Sequence, residues 1–420
     1  MSGQHGKHIY LLSRLHILTI LRIIVAMTYP GYFDWAATSP MSESALEVYS
    51  RTARMFFGNP SSVHADGMQA KKMLAQFRAS CARVLDVPPS TLYFTSGGTE
   101  SNSIILGSLL WNKTPGKILI PWFEHPSVGR WEAILSEKGW DVIRLPAHGG
   151  YMAPEQLLHH IDADTRMVTC MLVNNIIGTV QDVAGIVRVV RDAEKKFGRK
   201  IHVHCDCVQA VGKTVFSLEQ LGVDSATFSA HKFTGPRGIG LLYCSSPSVR
   251  ALSRGGNQEN GLRPGTENLP GIAAMTAALQ ETTDNLQMKI DKGAALRRDM
   301  EKILTEQAPR IIHISPSIDS TSPVTPFIME ISVSGIPSEV FTRRLSQEGF
   351  AVSAGSACSN NAKQESGVLE HMGMAAHDID SPVRISFGHA TEATDARKLA
   401  QTIAHLYASE ASLLGYARKK

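Results

Sequence analysis

Apolar residues along the chain switch between two spacings. Over Ala65–Leu85 they recur near helical spacing, at Met68, Leu74, Phe77, Cys81 and Leu85, which predicts a helix. Further on, short apolar runs read as strands: 117–120, 142–145, 167–173, 201–207, 226–229 and 239–243. Helical patterns near 128–138 and over Val183–Phe197 separate some of them. Strand and helix in alternation predict a mostly parallel sheet covered on both faces. Ligands of such a sheet lie at the carboxyl ends of its strands. Residues 32–40 read as a short strand running into a turn. After residue 270 the pattern changes. Residues 273–307 read as one long helical region bridging to a second domain. A strand at 327–333, a helix over Ser338–Gln347, a strand at 383–387 and a helix at 392–412 follow. The expected division is an extension at 1–30, a large domain at 31–270 and a small α+β domain at 271–420.

Composition narrows the class. A chain of 420 residues, 43% hydrophobic and 19% charged, describes a globular protein with room for two cores. The net charge of +4 gives no sign of a nucleic-acid or polybasic membrane surface. Lys7, Arg14 and Arg22 lie in the first thirty residues, which hold no acid. The apolar run at 9–27 is interrupted by Arg14, His16 and Arg22, so it does not read as a spanning helix. It lacks a small-residue cleavage site, so it does not read as a secretory signal. The expectation is a working start at Met27 and a cytoplasmic protein, with a mitochondrial transit peptide as the alternative. The six cysteines show no disulfide or metal-ligand spacing, in keeping with a reducing compartment and no metal.

The candidate chemistry centres on residues 229–240, Ser-Ala-His-Lys-Phe-Thr-Gly-Pro-Arg-Gly-Ile-Gly. Lys232 follows a small polar run and precedes a glycine turn and an apolar strand. Such a lysine suits a Schiff base to a carbonyl cofactor. Residues 92–102 read as strand, glycine turn and helix start. Gly97, Gly98 and Thr99 there can cradle a phosphate on free backbone N–H groups. Three groups fall at strand ends: His125, Asn174 with Asn175, and Asp206 with Gln209. In 202–207, a period of two puts His202, His204 and Asp206 on one face. Val203, Cys205 and Cys207 share the other, where the cysteines read as sheet packing. A carboxylate at such a strand end needs a partner, and a pyridinium nitrogen would be one. His125 reads equally as a capping histidine or as a ring-stacking proton carrier. The glycine-rich stretch 254–268 reads as a closing or interface loop. Residues 351–361 are small or polar apart from Val352, which makes Cys358 a candidate nucleophile. Arg384, on a strand, suits bidentate binding of a carboxylate.

Taken together, the motifs at 94–102, 174–182, 206–213, 229–240, 263–268 and 353–358 resemble the cysteine desulfurase family. These are pyridoxal-phosphate enzymes of the class V aminotransferase superfamily, acting in iron–sulfur cluster assembly and nitrogenase maturation. The resemblance runs from about Tyr32 to the C-terminal helix. It implies an α/β protein of PLP-dependent fold type I, aspartate-aminotransferase-like, and a homodimer with shared active sites. It implies pyridoxal 5'-phosphate on Lys232, with His125 stacked on the ring and Asp206 on the ring nitrogen. Gln209 and Asn175 would flank the phenolic oxygen. Gly98, Thr99, Ser229 and His231 would hold the phosphate, joined by Thr266 of a second copy. Arg384 and Asn175 would take the substrate carboxylate. L-Cysteine would yield L-alanine and a persulfide on Cys358, passed to a sulfur acceptor such as an iron–sulfur scaffold or a tRNA thiolation enzyme. Ile176, Asn257, Ala36 and His389 depart from the family pattern. Two other readings stand beside this one: a class V aminotransferase or selenocysteine lyase, and a sulfur-relay partner without turnover.

Overall fold

The computed structural model describes residues 29–354, 369–373 and 381–413. The extension before residue 29 and the Cys358 loop therefore lie outside the described residues.

Two helices, α1 (Glu43–Met55) and α2 (Ala65–Leu85), precede the first strand, β1 (Leu92–Thr95). Each starts at a polar cap: Ser42 accepts from the Ala45 amide and His64 from the Gly67 amide, satisfying backbone donors that a helix start leaves open. Then come α3 (Gly98–Ser108), β2 (Lys117–Pro121), the short α4 (Pro126–Gly129) and α5 (Trp131–Glu137), and β3 (Asp141–Leu145). Next are β4 (Thr165–Thr169), α6 (Val183–Phe197), β5 (His202–Asp206), α7 (Leu218–Leu221), β6 (Ser225–Ser229) and β7 (Gly240–Cys244). The seven strands form one sheet in the order β1-β7-β6-β5-β4-β2-β3. β7 runs antiparallel to both neighbours and every other pairing is parallel. Apart from the edge strand β3, its strands are buried almost throughout, as a sheet covered on both faces requires. The carboxyl ends of β2, β4, β5 and β6 fall on one edge, and β1 ends there too.

A long helix, α8 (Leu269–Thr283), lies against α1 and α2, and its Ile272, Met275 and Leu279 belong to the large core. The next helix, α9 (Leu286–Gln307), sends Leu296, Met300 and Leu304 into a second core. Residues 273–307 are thus two helices, not one. The break is Asn285, whose φ of 51° is left-handed, and one such residue ends an α-helix. The change of core falls there. The second core also holds a three-stranded antiparallel sheet, ordered β10-β9-β8, from β8 (Ile312–His313), β9 (Ile328–Ser332) and β10 (Pro382–Ser386). Helices α10 (Ser338–Gln347) and α11 (Ala393–Leu413) cover it.

Residues 32–40 form no regular strand. Tyr32 and Asp34 make single bridges to Ala351 and Ser386, and Phe33 and Trp35 are buried in the second core. Ser39 and Ser42 amides then donate to the carbonyls of His231 and Thr234, at 2.7 and 2.9 Å. One early segment therefore ties the second core to the turn that carries Lys232. Among the described residues no helix is long and apolar enough to cross a membrane.

Arg297 on α9 is fully buried. It donates to the Thr325 and Ile328 carbonyls at 2.8 and 2.9 Å and pairs with Glu301 at 2.7 Å. An Arg297→Met variant leaves these acceptors without donors. It should lose at least about 3 kcal/mol in urea unfolding, the cost of stranding buried acceptors and one partner of an ion pair.

Candidate active site

One cavity of about 170 Å3 opens at the carboxyl edge of the large sheet. Its walls gather residues from widely separated segments of the chain. Gly98 and Thr99 come from the start of α3, His125 from the end of β2, and Asn175 from beyond β4. Asp206 ends β5 and Gln209 follows it, Ser229 ends β6 and His231 and Lys232 follow it, and Arg384 lies on β10. Two of the expected site residues are not among them. Thr266 is exposed and does not line the cavity of its own chain. Cys358 lies outside the described residues, although the stretch leading to it is anchored: Ser353 and Arg384 exchange backbone hydrogen bonds at 2.9 and 3.1 Å.

Lys232 sits in a short turn after β6. Its Nζ donates to the carbonyls of Ala36 and Ala37, both at 2.7 Å, so the early segment fixes the amine. Asp206 ends β5 and is 6% exposed. Its Oδ2 accepts from Asn102 Nδ2 and its Oδ1 from the Val208 amide, both at 2.9 Å. One donor on each oxygen leaves lone pairs for another cation or N–H. The opposite faces expected of β5 hold. Val203, Cys205 and Cys207 lie in the large core, while Asp206 and His204 both meet Asn102. Among the described residues no cluster of His, Cys, Asp or Glu is placed to hold a metal ion.

Arg384 is 2% exposed. Its Nη2 pairs with Asp34 at 3.0 Å and its Nη1 donates to the Asn175 carbonyl at 3.1 Å. Its buried Nε has no hydrogen-bond partner among the described residues. The same holds for Gln209 Oε1, while Gln209 Nε2 donates to the Ala36 carbonyl at 2.8 Å. Buried polar atoms left in this state cost free energy unless a ligand meets them. At the start of α3 the backbone comes close to its neighbours: a Cβ on Gly98 would stand 2.7 Å from Val208 Cγ2. Gly97, with φ of 152°, takes a conformation that suits glycine. The first amides of α3 have no intrahelical acceptors. Ser229, His231 and Thr38 stand around them, with Arg237 beside. An anion-binding end, an amine, a buried carboxylate and unpaired acceptor and donor atoms together fit pyridoxal phosphate.

Burial sets the protonation of the histidines. It pushes His231 down to about 4, helped by the nearby charge of Lys232, and it lowers His125 as well. Both are neutral at pH 7. Glu124, next to His125 in the chain, moves the other way. Burial first, and then the charge of Asp206, push its carboxyl up to about 8.

With this geometry in view, known proteins can be compared. The aminotransferase class-V family matches residues 31–399. A NifS/IcsS protein homolog of Lactobacillus delbrueckii subsp. bulgaricus is 36% identical over 90% of this chain and 97% of its own. A cysteine desulfurase IscS of Dictyoglomus turgidum is 31% identical over 87% of this chain and 91% of its own. Among solved structures, a NifS-like protein superposes with a TM-score of 0.83 at 32% identity, covering 91% of this chain and all of that one. The chain belongs to the class V aminotransferase family, in its cysteine desulfurase branch. Its sheet and cavity are those of PLP fold type I.

The residues that sequence reading left without a role are Asp34, Asn102, Glu124 and Ser127. Asp34 stands in a stretch read as strand and turn, and nothing local joins it to Arg384. Asn102 closes a motif read for its glycines. Glu124 was hidden by the histidine after it.

Glu124 gives a pH prediction. A carboxyl raised in the folded state contributes stability that is fully present below pH 4.5 and lost as pH rises through about 8, because the folded chain holds its proton longer than the unfolded chain does. Glu124→Gln removes that titration. The melting temperature of the variant relative to the parent should therefore rise between pH 5 and pH 9, measured by scanning calorimetry. A flat difference would show that Glu124 is charged throughout.

Proposed function

We propose that this protein is a pyridoxal-phosphate-dependent cysteine desulfurase that works as a homodimer. It removes sulfur from L-cysteine, leaving L-alanine and a persulfide on Cys358. The observation that carries the reading is the convergence of Lys232, Asp206, His125, Gln209, the α3 start and Arg384 on one cavity.

Bound there, pyridoxal phosphate supplies a carbonyl for amines and a protonated ring that accepts electrons from Cα. Lys232 is the residue that bonds it and afterwards moves the Cα proton. Asp206 keeps the ring nitrogen protonated. Gln209 and Asn175 would flank the phenolic oxygen. Gly98, Thr99, Ser229 and His231 hold the phosphate. Since His231 is neutral at pH 7, it serves by hydrogen bonding. Thr266, exposed in its own chain, is assigned to the phosphate of the second copy. Arg384 takes the substrate carboxylate together with Asn175, and in doing so shares its guanidinium between the ligand and Asp34.

Sulfur transfer falls to Cys358. The other five cysteines, Cys81, Cys170, Cys205, Cys207 and Cys244, are all buried. Burial pushes the thiols of Cys81 and Cys244 up to about 11, which makes them poor nucleophiles. In the transfer the substrate C–S bond breaks and an S–S bond to Cys358 forms, while the Cβ left behind takes a proton. A reductant or a sulfur-acceptor protein then removes the outer sulfur. The chemistry asks for no nucleic acid and no membrane, and a cytoplasmic setting suits a thiol carrier.

The deciding experiment incubates purified protein with L-cysteine and a thiol reductant and assays alanine and sulfide. Equal release of both is expected. Consumption of alanine with formation of pyruvate would favour an aminotransferase instead.

Two variants dissect the reaction. Lys232→Ala should lose turnover completely and should retain no borohydride-fixed cofactor in intact-mass measurement. A fixed adduct in that variant would move the attachment elsewhere. Cys358→Ser should keep cysteine binding and the colour changes that follow it, yet accumulate neither alanine nor a persulfide trapped by alkylation. Its stability should stay within about 0.5 kcal/mol of the parent, because the sequence around it is small and polar. Wild-type sulfide release by this variant would make Cys358 a bystander and favour a lyase.

A further inference from the structure

Asn102 is fully buried behind the cavity, and its carboxamide makes three polar contacts. Its Nδ2 donates to Asp206 Oδ2 at 2.9 Å and to Ser127 Oγ at 2.8 Å. Its Oδ1 faces His204 Nε2 at 2.9 Å. The orientation of the amide follows from Asp206: a carboxylate oxygen is met by the NH2 group and not by the carbonyl oxygen. His204 must therefore carry its proton on Nε2. Its Nδ1 then accepts from Ser225 Oγ at 2.8 Å, and Ser225 Oγ in turn accepts from His202 Nε2 at 2.7 Å.

The other branch ends in the cavity. Ser127 Oγ receives an N–H from Asn102, which frees its own proton for His125 Nδ1 at 2.8 Å. The Ser127 backbone amide donates to the same Nδ1 at 3.1 Å. A ring nitrogen met by two donors is an acceptor, so the proton of His125 is on Nε2.

We propose that Asn102 is a positioning residue, whose one carboxamide orients the Asp206 carboxylate and, through Ser127, holds His125 as the neutral Nε2–H tautomer. The inference rests on the proposed function and gives His125 a direction within it. In its resting form His125 offers a proton at Nε2 and has no lone pair there. At that atom it serves the reaction as a hydrogen-bond donor, and its basic nitrogen is Nδ1, which Ser127 holds. An aspartate or histidine in place of Asn102 could not serve both branches. The first would repel Asp206, and the second cannot donate twice from one amide-sized group.

The charged groups around His125 are Asp206, which favours its cation, and Lys232 and Arg130, which oppose it; burial opposes the cation most. Removing the Asn102 donor lets the Ser127 hydroxyl turn and accept, which favours protonation of Nδ1.

The test is 15N NMR of the holoenzyme with labelled histidine, the His125 signal being assigned by its loss in His125→Asn. The parent should show a neutral Nε2–H ring from pH 6 to pH 8. Asn102→Ala should raise the His125 titration by about one pH unit, the low end of what one lost local interaction does. It should also alter the pH dependence of the cofactor absorption band, because Asp206 loses a donor. Ser127→Ala, a smaller change, should move the His125 titration and leave the band alone. A parent ring protonated on Nδ1 overturns the proposal, as do folded variants that move neither signal. Absence of sulfide release from cysteine would sink the proposed function and leave this histidine assignment standing.

Discussion

The cavity depends on two backbone carbonyls. Those of Ala36 and Ala37 receive the Lys232 amine at 2.7 Å each, and three residues earlier Asp34 receives Arg384 at 3.0 Å. The cationic groups at the two ends of the site are thus held by one short bridge-and-turn segment of chain. That stretch contributes no helix and no regular strand. It is fixed instead by bridges to Ala351 and Ser386 on one side and by the Lys232 turn on the other. A shift of this backbone would move the amine and the guanidinium together, so their separation is conserved even if the two cores settle slightly against each other.

Around these cations the interior is kept short of charge. Burial holds His204 near 3 and His202, His231 and His389 near 4, so all four are neutral where the enzyme works. Lys213 is also buried, with its ammonium on the Lys232 carbonyl at 3.1 Å. Burial, and then the charge of Lys232, bring it down to about 7. Glu124 holds its proton to about pH 8. With these groups neutral or half-neutral, Asp206 stands out as the acid facing the cavity. A carboxyl in a poorly hydrated wall acts strongly on whatever cation meets it.

Local patterns in the chain carried much of this. Ala65–Leu85, Val183–Phe197 and Ser338–Gln347 were readable as helices because periodicity and length agreed. Ten of the twelve candidate site residues proved to line one cavity: nine sit in short motifs near strand ends, which the large sheet puts on one edge, and Arg384 reaches it from the middle of β10 in the small sheet. What stayed hidden was non-local. The split of 273–307 depends on one left-handed residue, Asn285, which composition does not reveal. The Asp34–Arg384 pair joins residues with no shared motif. The fan of contacts from Asn102 could not be seen because an asparagine after a glycine turn also reads as an ordinary helix residue.

The strap of residues 31–42 carries a consequence for biosynthesis. Ala36 and Ser386 bond across a sequence separation of 350 residues, as do Asp34 and Arg384. Loops of that length close late and slowly. The first part of the described chain to leave the ribosome must wait for nearly the last before it finds its place. Until β10 emerges, Phe33 and Trp35 have no core to enter and Lys232 lacks the carbonyls that fix it. Completion of the cavity is therefore a late event, and a nascent chain truncated before residue 382 carries most of the lining residues without a finished site.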